Sequence, residues 1–166
     1  MLLSSGNSGV NCAQRRMFLV MRSTQQRKAD ALEKLEKDAD VWVATGDENG
    51  IAHLVPLSLC WHEGKVIVAV ESRSRTARNA SASGQARLAL GPSRDVVMID
   101  AAATVVPRAG ADPAIVTAYR DRTGWDPGVD GSEWVYLLFR PAIIQVWRDV
   151  AEITGRTVMR AGAWLA

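Results

Sequence analysis

Between Ser72 and Leu90 the chain reads SRSRTARNASASGQARLAL, with four arginines (Arg73, Arg75, Arg78, Arg87), five hydroxyl side chains and no carboxylate between Glu71 and Asp95. Three kinds of chemistry fit such a run: a nucleic-acid stripe, a phosphate pocket, or the solvated face of a helix. Nucleic acid needs basic residues spread over a face, usually with aromatics interleaved for stacking, and this window has no aromatic. The formal net charge is +2, so no global field draws the chain to polyanions or anionic membranes. Phosphate capture has a better local basis. A strand over 65–71 leads into a polar turn and then a helix start at Ser74-Arg75-Thr76. The first amides of a helix have no internal acceptor and form a ready anion site. Arg75 and Arg78 could add charge-assisted bonds, and Ser72, Ser74 and Thr76 neutral ones. A solvated helix with capping serines accounts for the same residues.

Other chemistries find less support. Ser58 or Ser74 with His53 and an aspartate makes a triad in name, but no glycine-flanked nucleophile elbow is present. HExxH, Walker and GxGxxG signatures are absent. Cys12 and Cys60 have no metal-type spacing, and neither His53 nor His62 has a ligand partner nearby. Cys60 lies in an apolar run and reads as a small core residue. Six tryptophans against two tyrosines and two phenylalanines is an unusual balance. Trp42, Trp61 and Trp134 fall in strands and are expected in the core. Trp147, beside Arg148, is the candidate to line a flat aromatic ligand or a subunit interface.

The elements that must position these groups follow from periodicity. Gln26–Ala39 has Ala29, Leu32, Leu35 and Ala39 at helical spacing. Strands are expected near 41–45, 51–61 and 65–71, joined by the turns Asp47–Gly50 and His62–Lys65. Pro56 requires the middle strand to be an edge, bulged or bent. A short helix over 74–83 starts at Ser74 and stops at Gly84. Strands follow at 85–90 and 95–106, then a helix from Asp112-Pro113 to about Thr123, stopped by Gly124. Two more strands, 134–139 and 142–148, are separated by Arg140-Pro141, and the tail from Ile153 forms a small hairpin or coil with Trp164. The pattern predicts an α+β protein of six to seven antiparallel strands with short peripheral helices, closing into a small β-barrel. Residues 1–25 are expected to be a flexible tail, with Met17 or Met21 as the natural start, and 26–166 a single domain. The apolar pieces of that tail are shorter than a secretory core, and no stretch is long enough to span a bilayer, so the cytoplasm is the expected location.

Ala44-Thr45, Asn49-Gly50, His53-Leu54-Val55-Pro56, Trp61 and Thr76-Ala77-Arg78-Asn79 recur in an order that resembles the pyridoxamine 5'-phosphate oxidase-like split-barrel flavoproteins. The resemblance covers about residues 27–106 well, and the rest loosely through Gly124–Pro127 and Trp147. It implies the split form of the β-barrel, in a homodimer that binds FMN, or the deazaflavin coenzyme F420, at the subunit interface. It puts the ring along Val55, Pro56, Leu57 and Ser58. The phosphate falls at Ser72, Ser74, Arg75, Thr76, Arg78 and Asn79, and Trp147 of the partner closes the site. Two positions depart from the pattern. Thr76 stands where many relatives have lysine, and the chain ends RAGAWLA rather than with the RLAP-type segment of authentic pyridoxamine phosphate oxidases. The function implied is therefore an oxidoreductase acting on an unidentified small molecule, without the vitamin B6 reaction. Its alternatives are a cofactor-sequestering protein and a structural dimer that has lost its cofactor.

Overall fold

Most pairings join strands that follow one another in the chain, and two join distant ones, 40–46 with 85–90 and 65–71 with 134–147. In a computed structural model that describes residues 21–129 and 133–166, the chain runs α1 (Thr24–Lys37), β1 (Asp40–Gly46), β2 (Ala52–Ser58), β3 (Cys60–His62), β4 (Lys65–Glu71), α2 (Arg75–Ser83), β5 (Gln85–Leu90), β6 (Val96–Pro107), α3 (Pro113–Thr123), β7 (Trp134–Trp147), β8 (Thr157–Arg160) and β9 (Ala163–Trp164). The antiparallel sheet has the order β2-β1-β5-β6-β7-β4-β3, and the β8–β9 hairpin attaches to β7. β2 and β3 therefore stand at opposite ends of the sheet, although only Leu59 separates them in the chain. The sheet must curl until its ends meet there. Leu59 is fully buried, and its amide donates to the Ala39 carbonyl at 2.8 Å, which pins the corner. This is the expected α+β split barrel.

Strand parity fills the barrel. Val41 and Val43 point inward with Val66, Val68, Leu88 and Ile99, all at most 1% exposed. The same parity sends Trp42 outward, 48% exposed, so it is not the core residue expected. Pro56 sits on the edge strand β2 opposite Trp42, where its missing amide proton costs no ladder bond. The bend of the expected 51–61 strand comes three residues later, at Leu59.

Two expected strands over 134–148 are in fact one. β7 continues through Arg140-Pro141 because the register slips there: Ala101 pairs with Pro141 and Asp100 with Ile143, leaving Ala142 as the extra residue. A bulge tolerates proline in a central strand because it already interrupts the ladder. The β3–β4 turn reverses through Glu63 and Gly64, both with positive φ, 48° and 73°. That conformation matches the twist of a two-residue hairpin.

The helix α1 opens earlier than its apolar spacing predicts. Ser23 Oγ accepts from the Gln26 amide while Gln26 Oε1 accepts from the Ser23 amide, a reciprocal cap. Its inward stripe is Arg27, Ala31 and Leu35, whereas Ala29 and Ala39 are exposed. Arg27 can hold that stripe because its stem packs inward while Nη2 donates to the Gly155 carbonyl at 2.8 Å. Of the expected tail, residues 1–20 lie outside the described residues, while Arg22 is buried in the folded body. No helix among the described residues is long and apolar enough to cross a membrane.

Arg22 is the centre of an ion network that ties α1 to the segments flanking β6 and β7. Its guanidinium reaches Glu152 at 2.6 Å and 3.0 Å, and Asp30 at 2.6 Å. Asp95 in turn takes Lys34 at 2.9 Å and Arg148 at 3.0 Å. The bond from Arg22 holds the Glu152 carboxyl at about 2, below its usual 4.5. A depressed carboxylate stabilises the fold above its unfolded pKa, and that contribution disappears as pH falls through the folded value. Thermal stability should therefore drop between pH 4.5 and about 2. Glu152→Gln, which leaves Arg22 with Asp30 and Asp95 but without its bonds to the Glu152 carboxylate, should lose about 1–3 kcal/mol at neutral pH and flatten that acid limb in a melting series.

Candidate functional site

Because β2 pairs only with β1, its other edge is left facing the end of β4 and the start of α2. A cavity of about 650 Å³ opens there, within the size range of cofactor sites. One wall is Val55, Pro56, Leu57 and Ser58 on β2; another is Ser74 and Thr76 at the head of α2. The third is aromatic: Tyr119 on α3, with Trp125 and Trp134. Asp40, His53 and Glu71 complete the rim.

Each wall has a local cause. Ser74 is extended at φ −62°, ψ 156°, and its hydroxyl accepts from the Ala77 amide at 3.1 Å, so α2 begins where a cap residue can start it. Gly84, left-handed at φ 65°, ends it. Asp112 caps α3 in the same manner, and Gly124 turns the chain so that Trp125 returns over Tyr119. Trp125 and Trp134 meet edge-on with centroids 4.7 Å apart, and Tyr119 meets Tyr136 at 5.4 Å. Edge-to-face packing of this kind makes a rigid apolar wall. Burial pushes the Tyr119 hydroxyl up to about 12, so it stays protonated at neutral pH.

The structure gathers Val55–Ser58, Ser74 and Thr76 around one cavity and leaves the other expected site residues off it. The helical period is the reason. Thr76, Ala77, Asn79 and Ala80 take the buried side of α2, which turns Arg75 and Arg78 outward. Arg75 lies 3.7 Å from Asp47, and Arg78 donates to the Arg73 carbonyl. Asn79 is 5% exposed and donates to Thr45 Oγ1 at 3.2 Å, which makes it a strut between α2 and β1. Ser72 bonds Glu133: its amide donates to the carbonyl at 2.9 Å and its hydroxyl faces the carboxylate at 3.4 Å. Trp147 ends β7, the whole strand away from Trp134, with the Arg156 guanidinium 5.9 Å above its ring. Among the described residues no arginine or lysine lines the cavity.

Sequence reasoning missed Asp40, His53, Glu71, Tyr119, Trp125 and Trp134 as lining residues. The tryptophan excess was the available signal, but which indoles converge depends on α3 folding back over β4 and β7. Among the described residues no group of three His, Cys, Asp or Glu could hold a metal ion.

The outer face of the same sheet is also apolar. Register places Pro56, Trp42, Ala89 and Met98 side by side across four strands. Leu54 is 58% exposed beside them, and Trp147, paired with Val96, lies on the same face.

No family model matches the sequence, and no curated protein matches it. Solved structures do. An F420 reductase superposes with TM-score 0.56 at 17% identity, covering 68% of this chain and 93% of its own. A pyridoxamine 5'-phosphate oxidase-related, FMN-binding protein from Nostoc punctiforme gives 0.54 at 17%, covering 76% and 84%. A heme storage protein from Vibrio cholerae gives 0.60 at 14%, covering 82% and 99%. At these identities the likeness is one of fold: this chain is similar to all three in having a split barrel.

Asn79 and Arg75 separate strut from surface. Asn79→Ala should cost about 1–3 kcal/mol in urea denaturation by removing a buried hydrogen bond, whereas Arg75→Ala should stay within about 0.5 kcal/mol.

Proposed function

We propose that the cavity between β2 and α2 binds the ring of a flavin-type cofactor, FMN or coenzyme F420, and that the protein is an oxidoreductase positioning that ring against a small-molecule substrate. The observation that carries this reading is the joining of an apolar strand wall, an aromatic wall and a hydroxyl-bearing helix start around 650 Å³. A cofactor with a flat ring at one end and an anion at the other matches that polarity. When bound, such a ring supplies hydride chemistry of its own. The chain's part is to bind, orient and exclude water.

The residues fit the ring end more completely than the phosphate end. Val55 and Leu57 offer one side of a slot, with Trp125 and Trp134 opposite. At the anion end, Ser74, Thr76 and the first-turn amides of α2 are the donors in place. Arg75, the residue between Ser74 and Thr76, is an available cation. Its contact with Asp47 is 3.7 Å long and its side chain 46% exposed, and exposed pairs of this kind contribute at most about 1 kcal/mol. Little is lost if the guanidinium turns to a phosphate. Arg78 gives up only a hydrogen bond to the Arg73 carbonyl.

A homodimer belongs to this proposal. The apolar outer face with Trp42, Leu54, Pro56 and Trp147 is the surface a second copy would cover, and a two-fold pairing of it can bring Trp147 of that copy toward the β2 edge. A second cofactor reading rests on His53, which lines the cavity and has the imidazole that heme iron takes as an axial ligand. Sequestration of a cofactor without turnover, or a structural dimer that has lost its cofactor, are the outcomes if chemistry or binding fails.

Titration of the apoprotein with FMN, coenzyme F420 and hemin tests these readings together. One of the two flavin-type cofactors should bind at micromolar concentration, and Arg75→Ala with Arg78→Ala should weaken it by a few kcal/mol. Unaltered affinity in that double variant sinks the phosphate assignment. His53→Ala should leave flavin affinity nearly unchanged; if instead it abolishes a heme Soret band while flavins do not bind, heme is the cofactor. Binding without reduction of any acceptor leaves sequestration.

A further inference from the structure

A second cavity lies at the other end of β4. Lys65 opens that strand and Glu71 closes it, which separates the two sites by about 20 Å at the rise of a strand. This cavity, about 480 Å³, sits between the β3–β4 turn and the β8–β9 hairpin, over the β7 bulge. Trp61 and Trp164 both line it, each half-buried against the core. Arg140 lines it too, exposed on β7, and its guanidinium has no carboxylate partner among the described residues. Lys65 adds a second cation, loosely offset by Glu63 at 3.9 Å.

The bulge explains why these groups meet. At Pro141 the extra residue Ala142 leaves the ladder and its carbonyl accepts from the Gly162 amide at 3.0 Å, which draws the β8–β9 turn over the strand. Beside Arg140 the lining is built of small residues, Ala102, Pro141, Ala142, Ala161 and Gly162, with Glu63, Lys65 and Met159 completing it. The arrangement offers indole surface on two sides, Trp164 having the Lys28 ammonium 5.4 Å from its ring, together with a net positive end and buried Met159, a side chain that adapts to irregular shapes.

We propose that this cavity binds a small planar aromatic carboxylate, its ring against Trp61 and Trp164 and its carboxylate on Arg140. A guanidinium takes a carboxylate through two parallel bonds, and an aromatic body repays the desolvation of the indoles. A neutral aromatic forgoes the charged bond, and an aliphatic acid forgoes the ring contact. The site is independent of the cofactor proposed for the β2 edge.

Titration of the full chain with 2-naphthoate, followed by the indole N–H resonances in NMR, tests this. Trp61 and Trp164 should shift saturably with low-millimolar or tighter affinity, while Trp125 and Trp134, at the first cavity, stay unmoved. Arg140→Gln, an exposed change that the fold should tolerate, should weaken binding about tenfold or more, and the neutral 2-naphthalenemethanol should bind no better than that variant. The proposal is overturned by equal affinity in Arg140→Gln, by shifts at Trp125 and Trp134 instead, or by the absence of saturation.

Discussion

A single residue, Leu59, joins the two ends of the sheet, and most of the architecture is a consequence. β2 hydrogen-bonds to β1 at one end of the strand order and β3 to β4 at the other, with one residue of chain between them. Such a short link forbids a flat sheet. The strands must coil around a common interior, and the side chains of one face become the core. Leu59 itself is buried there, with its amide satisfied by Ala39, so the corner carries no unpaired donor. The same corner keeps β2 from gaining a second partner, which is why an open edge and a cavity lie beside it.

The helix that faces this edge divides a basic segment by period. Over nine residues α2 turns threonine, asparagine and alanine inward and two arginines outward. The segment thus presents hydroxyls and backbone amides to the cavity, and its positive charge stands in the solvent beside it. In the proposed binding mode an anion meets neutral donors first, with Arg75 and Arg78 on the outer side of the same helix. Charge held in exposed, weak pairs can be redirected at little cost, whereas a buried pair such as Arg22–Glu152 is committed to the fold. The molecule uses both kinds.

β7 plays the corresponding part on the far side. Its length lets it pair with β4, β6 and β8 at once, and the bulge at Pro141 lets one strand bend to serve them. Removing the bulge would take away the bond from the Gly162 amide to the Ala142 carbonyl, while the β7–β8 pairs at Ile144 and Gln145 would still hold the hairpin. One irregularity therefore shapes the second cavity as the Leu59 corner shapes the first.

Local sequence was enough to determine what depends on neighbours in the chain. The caps Ser74 and Asp112, the stops Gly84 and Gly124, the need for an edge, bulge or bend at Pro56 and the α+β barrel class were all legible, because capping, positive φ and strand alternation act over a few residues. Parity was harder: Trp42 reads as core by composition and lies outside, because only Val41 and Val43 could take the interior side. The outward turn of Arg75 and Arg78, the burial of Asn79 against Thr45 and the union of 134–147 into one strand were decided by partners more than thirty residues away. So was the aromatic wall, which exists only once α3 lies across β4 and β7. Sequence alone determined that the Ser72–Asn79 corner contains a capped helix start. Tertiary packing decided which of its side chains face the cavity, since a helix can bury only one side and the barrel chose the uncharged one.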